Sequence, residues 1–360
     1  MSGGNRTLWA VGLSSLLAAC NADPAGESTS FTTAPEPSSS SSATTTSGDP
    51  DTGTPTTGVT STGTSADSTG EPGDSSGTST TGPNTVECNG VFPASWPNGS
   101  SCGTEFPVHI HQYGPNTVIL RQSLCATQHG PFMYLLFGDD QVMLVDTGDN
   151  VPEIPVLLAD AVQGVITQWL SVNGGDSLPL VVVNTHAHAE HVGYNPDFVD
   201  LPDTTVVGAS QALVQDFFEI RNWPEDIGTY DLGGRRLDII PIPGHQGTHI
   251  AIYDYETGIL LTGDTLMPGR LVINDFGSYV PSIQRLVDHT ETRDVCAVLG
   301  GHIEMTSMPG VEIPFGAMEH PDEHELRLGR EHLLELRDAV VAMGPNPVME
   351  VHDDFVIMPL

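Results

Sequence analysis

The apolar run Leu178–Asn184 leads, one residue later, into His186-Ala187-His188-Ala189-Glu190-His191. A short, continuous apolar run of this kind reads as a strand buried on both faces. The sequence therefore delivers three imidazoles and a carboxylate to the C-terminal end of a buried strand, and they meet at one point only if the chain turns there. Neutral imidazole and carboxylate are the donors that suit zinc or iron. A lone histidine is more often a satisfied core or surface residue, but three at this spacing call for a metal. The fold must then gather strand ends along one rim.

The rest of the pattern fits such a fold. Phe132–Phe137 and Gln141–Asp146 are β-rich and separated by Gly138-Asp139-Asp140, a hairpin signal. Asp149 or Asn150 is positioned to cap a helix running through Leu157, Leu158, Val162, Ile166 and Leu170. Thr204–Gly208 reads as a strand followed by a helix from Ser210, and Leu237–Ile242, Ile250–Tyr255 and Ile259–Thr262 as three further strands. Pro281–Thr290 is helical in pattern, Val295–Leu299 is a strand, and Asp322–Met343 is a long amphipathic helix. Strand pairs followed by helices, twice over, predict an α/β protein with an αββα sandwich of two mixed sheets flanked by helices.

Further donors stand at predicted strand ends. His245 lies in Pro243-Gly244-His245, Asp264 in Thr262-Gly263-Asp264-Thr265, and His302 in Gly300-Gly301-His302. The adjacent glycines permit tight turns and close backbone approach. This succession, with Leu144-Val145-Asp146-Thr147-Gly148 ahead of it, resembles the metallo-β-lactamase superfamily over about Val118 to His302. The resemblance implies His186, His188 and His245 on one metal and Glu190, His191 and His302 on the other, with Asp264 bridging two zinc ions. It also implies that Asp146 hydrogen-bonds the ligand loop without binding metal. The family usually has Asp where this chain has Glu190. The extra methylene displaces the carboxylate by about 1.5 Å, so either the second metal binds more weakly or the loop adjusts around Glu190.

Such a centre would lower the pKa of water from 15.7 to about 7. The resulting hydroxide would attack an ester, thioester or lactone carbonyl, with Asp264 and Glu190 orienting it or moving protons. Asp264 points to the hydroxyacylglutathione hydrolase and lactonase branch, because true β-lactamases carry Cys or Ser there. β-Lactam hydrolysis is the alternative activity. A silent metal- or ligand-binding lipoprotein is the alternative from another class. His249 reads equally as support for a ligand or as a structural hydrogen-bonding group. Phe276, Tyr279 and Tyr194 read as core aromatics rather than a substrate pocket, and His320 and His324 as residues of a solvated helix start. His109, His111, His129 and His352 receive no role.

Composition restricts the partners. With 46 acidic and 11 basic residues, all of the latter Arg, the formal net charge is −35. Nucleic acid and anionic membrane surfaces are repelled, and a small-molecule substrate is expected. Residues 1–20 have the layout of an export signal, with Arg6, an apolar stretch Leu8–Ala19 and the ending Leu17-Ala18-Ala19-Cys20. The stretch is too short to span about 30 Å of bilayer, and its ending resembles the bacterial lipoprotein signal. The expectation is export with a lipid anchor on Cys20, on a periplasmic or cell-surface face. Residues 21–86, rich in Ser, Thr and Gly, cannot bury enough apolar surface to order themselves. They read as a tether with an average reach of about 40–45 Å, leaving residues 87–360 as the hydrolase domain. Cys88 and Cys102 bracket a Gly/Pro/Asn/Ser-rich segment, which predicts a disulfide closing that loop. Cys125 and Cys296, in apolar stretches, read as buried free thiols.

Overall fold

In the computed structural model, which describes residues 85–360, alternation along the strands sorts apolar side chains into three stacked layers. Cys20, the export signal and the tether as far as residue 84 lie outside the described residues. The first sheet takes β1 (Val108–Gly114), β2 (Thr117–Gln122), β3 (Phe132–Phe137), β4 (Val142–Val145), β5 (Leu180–Val183) and β6 (Thr204–Val206) in spatial order. Its first four strands are antiparallel, with β3 and β4 forming the expected hairpin, and β4, β5 and β6 are parallel. Helix α1 (Leu158–Asn173) crosses from β4 to β5. The short α2 (Ala189–Val192) and α3 (Asn195–Val199) follow β5, and α4 (Gln211–Phe217) follows β6.

The second sheet opens with an antiparallel meander of β7 (Gly228–Asp231), β8 (Arg236–Pro241), β9 (Ile250–Asp254) and β10 (Ile259–Gly263). Strand β11 (Arg270–Ile273) leaves that sheet, and α5 (Phe276–His289) returns the chain to β12 (Ala297–Gly300), which pairs parallel with β10. β13 (Arg327–Leu328) extends the sheet before α6 (Arg330–Met343). β14 (Glu350–Val351) and β15 (Val356–Pro359) join β11 in a small third sheet.

Between the two large sheets Ile119, Tyr134, Leu136, Val145 and Val183 pack with Ile239, Ile252, Leu261 and Leu299. Their neighbours Leu120, Leu135, Leu144 and Val182 point outward to Val162 and Ile166 of α1. On the far side Ile240, Ala251, Leu260 and Val298 meet Ile283 and Leu286 of α5 and Leu333 and Leu336 of α6. This is the αββα sandwich. Each fully buried aliphatic side chain contributes about 1.5–3 kcal/mol, so three such layers hold the strand ends rigidly. Direction matters as much as packing. Two antiparallel steps, β8 to β9 to β10, and the parallel pair β10–β12 leave β8, β10 and β12 pointing the same way. The loops after these strands, with His245, Asp264 and His302, therefore leave from one edge.

Several expectations need correction. The first helix begins at Leu158, not at Asp149 or Asn150. Pro152 and Pro155 hold the residues before them out of the helical region, while the Asp149 carboxylate accepts from the Thr127 hydroxyl and faces His129. The helix α5 starts at Phe276, ahead of Pro281, because the Asp275 side chain caps it by accepting from Ser278 N at 3.2 Å. The last helix begins only at Arg330. Upstream, Leu326 is drawn into the inter-sheet core and Arg327–Leu328 pair with β12. His320 is therefore not on a solvated helix start: it is buried, 2.9 Å from a Glu323 carboxylate that the buried Arg121 also grips.

The cysteines pair differently from the expected Cys88–Cys102 loop. Cys88 is bonded to Cys296 and Cys102 to Cys125, so neither Cys125 nor Cys296 is a free thiol. Tertiary contacts bring these partners together. Val86 N donates to Asp294 Oδ2 at 2.9 Å, laying Cys88 beside the start of β12, and Ser123 Oγ donates to Glu105 Oε1 at 2.7 Å, closing the turn after Cys102 onto Cys125. Non-reducing peptide mapping is expected to recover the Cys88–Cys296 and Cys102–Cys125 peptides, and Cys88→Ser to cost about 2–5 kcal/mol in denaturant unfolding. A Cys88–Cys102 peptide would contradict this pairing.

Candidate metal centre

The end of β4 sets the centre's base. Asp146 adopts φ 65°, an unusual left-handed conformation for a residue with a side chain. Such strain costs about 1–3 kcal/mol and is held by the loop that follows β5. Asp146 Oδ1 accepts from Thr185 N at 2.7 Å, and Oδ2 accepts from the Thr185 hydroxyl at 2.9 Å and from His191 Nδ1 at 2.8 Å. Asp146 thus ties the two parallel strands together and orients one imidazole, while standing outside both groups of candidate metal donors.

Three more imidazoles are fixed from outside. His245 Nδ1 lies 2.7 Å from the Val272 carbonyl, His302 Nδ1 3.0 Å from the His129 carbonyl, and His186 Nδ1 3.1 Å from Thr185 Oγ1. A carbonyl only accepts, so Nδ1 of His245 and of His302 carries the proton and Nε2 is left as a lone pair. The Thr185 hydroxyl, donating to Asp146, accepts from His186 in the same manner. Four Nε2 atoms therefore turn lone pairs inward. His186 and His245 Nε2 are 3.3 Å apart, and His191 and His302 Nε2 are 3.2 Å apart. His188 joins the first pair through Nδ1, 3.1 Å from His245 Nε2.

Asp264 stands between the pairs. Its Oδ2 is 3.7 Å from Nε2 of both His186 and His245, and its Oδ1 is 3.3 Å from His191 Nε2 and 3.5 Å from His302 Nε2. Oδ1 is buried with no hydrogen-bond partner. Glu190, half-buried on α2, completes the second group. His186, His188, His245 and Asp264 form one set and Glu190, His191, Asp264 and His302 the other, with the donor atoms in each set within 4.8 Å of one another. All seven residues singled out in the sequence are thus brought together.

Lone pairs facing lone pairs beside a carboxylate repel unless a cation lies between them. Protons must otherwise supply that charge. Burial would lower the His302 pKa, yet Asp264 outweighs it and raises it to about 9. Burial likewise opposes the charge on His191, but Asp264 and Asp146 lift its pKa well above the ordinary value. Burial pulls His186 well below that value, helped by His191 and His249. Burial would raise the Asp264 carboxyl, but His302 and His191 hold it well below the usual range. Nitrogen and oxygen donors with a demand for positive charge fit a divalent metal of the zinc or iron kind.

Close packing seals the arrangement. A Cβ at Gly301 would sit 2.5 Å from Asp264 Oδ1 and 2.6 Å from His191 Cε1, so only glycine leaves room for the pair. His249 supplies no donor to either set. It is buried and stacks on His186 with ring centroids 4.5 Å apart, holding that ring flat. Tyr279 and Tyr194 are buried in the outer cores and Phe276 packs against one of them, as the sequence implied. Two contributors escaped sequence reasoning. Thr185 relays Asp146 to His186, a role its place just before the histidine cluster makes legible in retrospect. His129 acts through its backbone carbonyl, which leaves no trace in residue type.

The family model of the metallo-beta-lactamase superfamily matches residues 126–344. The chain belongs to that superfamily. Its relatives include the acyl-coenzyme A thioesterase MBLAC2 of Homo sapiens, 25% identical over 206 residues that cover 47% of this chain and 72% of that protein. A hydroxyacylglutathione hydrolase of Chromohalobacter salexigens is 32% identical over 149 residues, 38% of this chain and 48% of the relative. Among solved structures, a metallo-beta-lactamase from Pontibacter korlensis aligns at a TM-score of 0.41 and 15% identity, covering 65% of this chain and 99% of the other.

The His302 proton makes metal uptake pH-dependent in a defined direction. Below about pH 9 an entering cation must displace it, and above that pH it is already gone. Zinc affinity is expected to rise about tenfold per pH unit for each displaced proton up to that point. Calorimetry at pH 7 in buffers of different ionisation enthalpy should register the released protons, and zinc binding without proton release would contradict the charge balance described.

Proposed function

We propose that this chain is a dinuclear zinc hydrolase that cleaves an ester, thioester or lactone carbonyl in a small-molecule substrate. The observation that carries this reading is Asp264, one buried carboxylate whose two oxygens face two separate groups of imidazole nitrogens. When bound, such a metal pair supplies Lewis acidity and a water acidified to a pKa of about 7. His186, His188 and His245 would hold one ion, and Glu190, His191 and His302 the other, with Asp264 shared. The Asp264 and Glu190 carboxylates would orient the nucleophilic water or move its proton, and the buried imidazoles wall the centre from bulk solvent. Aspartate at position 264 and relatives named acyl-coenzyme A thioesterase and hydroxyacylglutathione hydrolase both favour a carbonyl of the ester or thioester type over a β-lactam.

We further propose that the protein is exported and lipid-anchored at Cys20. Two disulfides among the described residues support an oxidising compartment, and the Leu17-Ala18-Ala19-Cys20 ending supports acylation of the cysteine.

Hydrolysis of phenyl acetate, a γ-lactone or a simple thioester should vanish on chelation and return with zinc. Asp264→Asn and His188→Ala should each lower kcat/KM at least about 100-fold with little change in melting temperature; activity retained in both would overturn the assignment. For the anchor, full-length protein expressed in bacteria should fractionate with membranes and Cys20→Ser with the soluble fraction, and identical partitioning of the two would refute it.

A further inference from the structure

We infer that the centre takes uncharged acyl substrates and discriminates against esters of anionic thiols, an inference that rests on the hydrolase reading above. A groove of about 480 Å³ adjoins the first group of donors and is lined by Ala187, Val192, Asn195, Ser210, Gln246 and Thr248, with no charged side chain along it. Ala187 lies between His186 and His188, and Gln246 follows His245, so two of the lining residues are chain neighbours of the first group of donors.

A second hollow, on the His302 side, lies between His129 and the segment of Ile313 and Phe315. Its one arginine, Arg270, is already engaged by Glu304 at 3.4 Å, by Glu312 at 2.5 Å and by the Ile313 carbonyl. Elsewhere among the described residues Arg121, Arg235, Arg236 and Arg337 are paired with Glu323, Asp254, Asp238 and Asp338. Arg285, Arg293 and Arg330 donate to main-chain carbonyls. Arg221 and Arg327 are exposed and line neither hollow. The chain has no lysine to supplement them.

Carboxylates also surround the place of a bound divalent pair: Asp264 and Glu190 among the donors, Asp146 on His191, and Asp149 on His129, whose ring packs against His302. A phosphate or carboxylate tail would therefore find no free arginine in either hollow while approaching a protein of formal charge −35. Steering by a field of this kind changes association rates by about 10- to 1,000-fold. Neutral esters, lactones and thioesters escape that penalty. The same chemistry separates this site from the coenzyme A and glutathione thioesters named for its relatives.

The test compares two thioesters with the same butanoyl group, one on N-acetylcysteamine, which is neutral, and one on coenzyme A. Full-length, zinc-loaded protein should show kcat/KM at least about tenfold higher for the neutral thioester at low ionic strength, with the gap narrowing as salt is added. Equal or faster turnover of the coenzyme A thioester overturns the inference and leaves the hydrolase reading standing. A preference that salt does not narrow assigns the selection to shape and overturns it too. Turnover of neither thioester, nor of the esters and lactones above, removes the hydrolase reading and this inference with it.

Discussion

Four imidazole lone pairs and a buried carboxylate aimed at the same small space repel one another, and much of the architecture serves to hold them there. The restraint comes from outside the centre. Each Nδ1 is tied to a partner that cannot move freely: the Asp146 carboxylate, the Thr185 hydroxyl, and the carbonyls of Val272 and His129. Those bonds fix the tautomers as well as the ring angles. Proton or metal ion, some positive charge must sit among them, and the donor chemistry decides in favour of a metal.

Restraint of this quality needs rigid supports, and the topology provides them. Parallel β4 and β5 on one sheet, and the co-directional β8, β10 and β12 on the other, end along one rim. The inter-sheet core sets the distance between the two groups of loops. Because one layer of aliphatic packing locates both halves of the site, a cavity in that layer would disturb donor distances before it unfolded the chain.

The sequence made the chemistry easier to read than the boundaries. His186, His188, Glu190 and His191 are close in the chain and announce themselves, and strand ends marked by glycine disclose His245, Asp264 and His302. The same local logic misplaced the start of α6, because Glu323 is claimed by Arg121 from more than two hundred positions away in the chain, and no window of residues contains both. Disulfide pairing failed for that reason as well. Cys88 and Cys102 are neighbours in sequence, but the partner of Cys88 is reached only once the second sheet exists. The first helix was misplaced by a nearer conflict, in which two prolines and the contacts of Asp149 overrode a plausible cap.

The Cys88–Cys296 bond carries a mechanical implication. Cys296 immediately precedes β12, whose opposite end carries His302. Tension at residue 88 passes through that sulfur link into the foot of β12, bypassing a sequence separation of 208. The loops that hold the imidazoles lie at the other end of the strands. A pull on residue 88 is thus delivered at the base of the sandwich, at the end of β12 remote from His302.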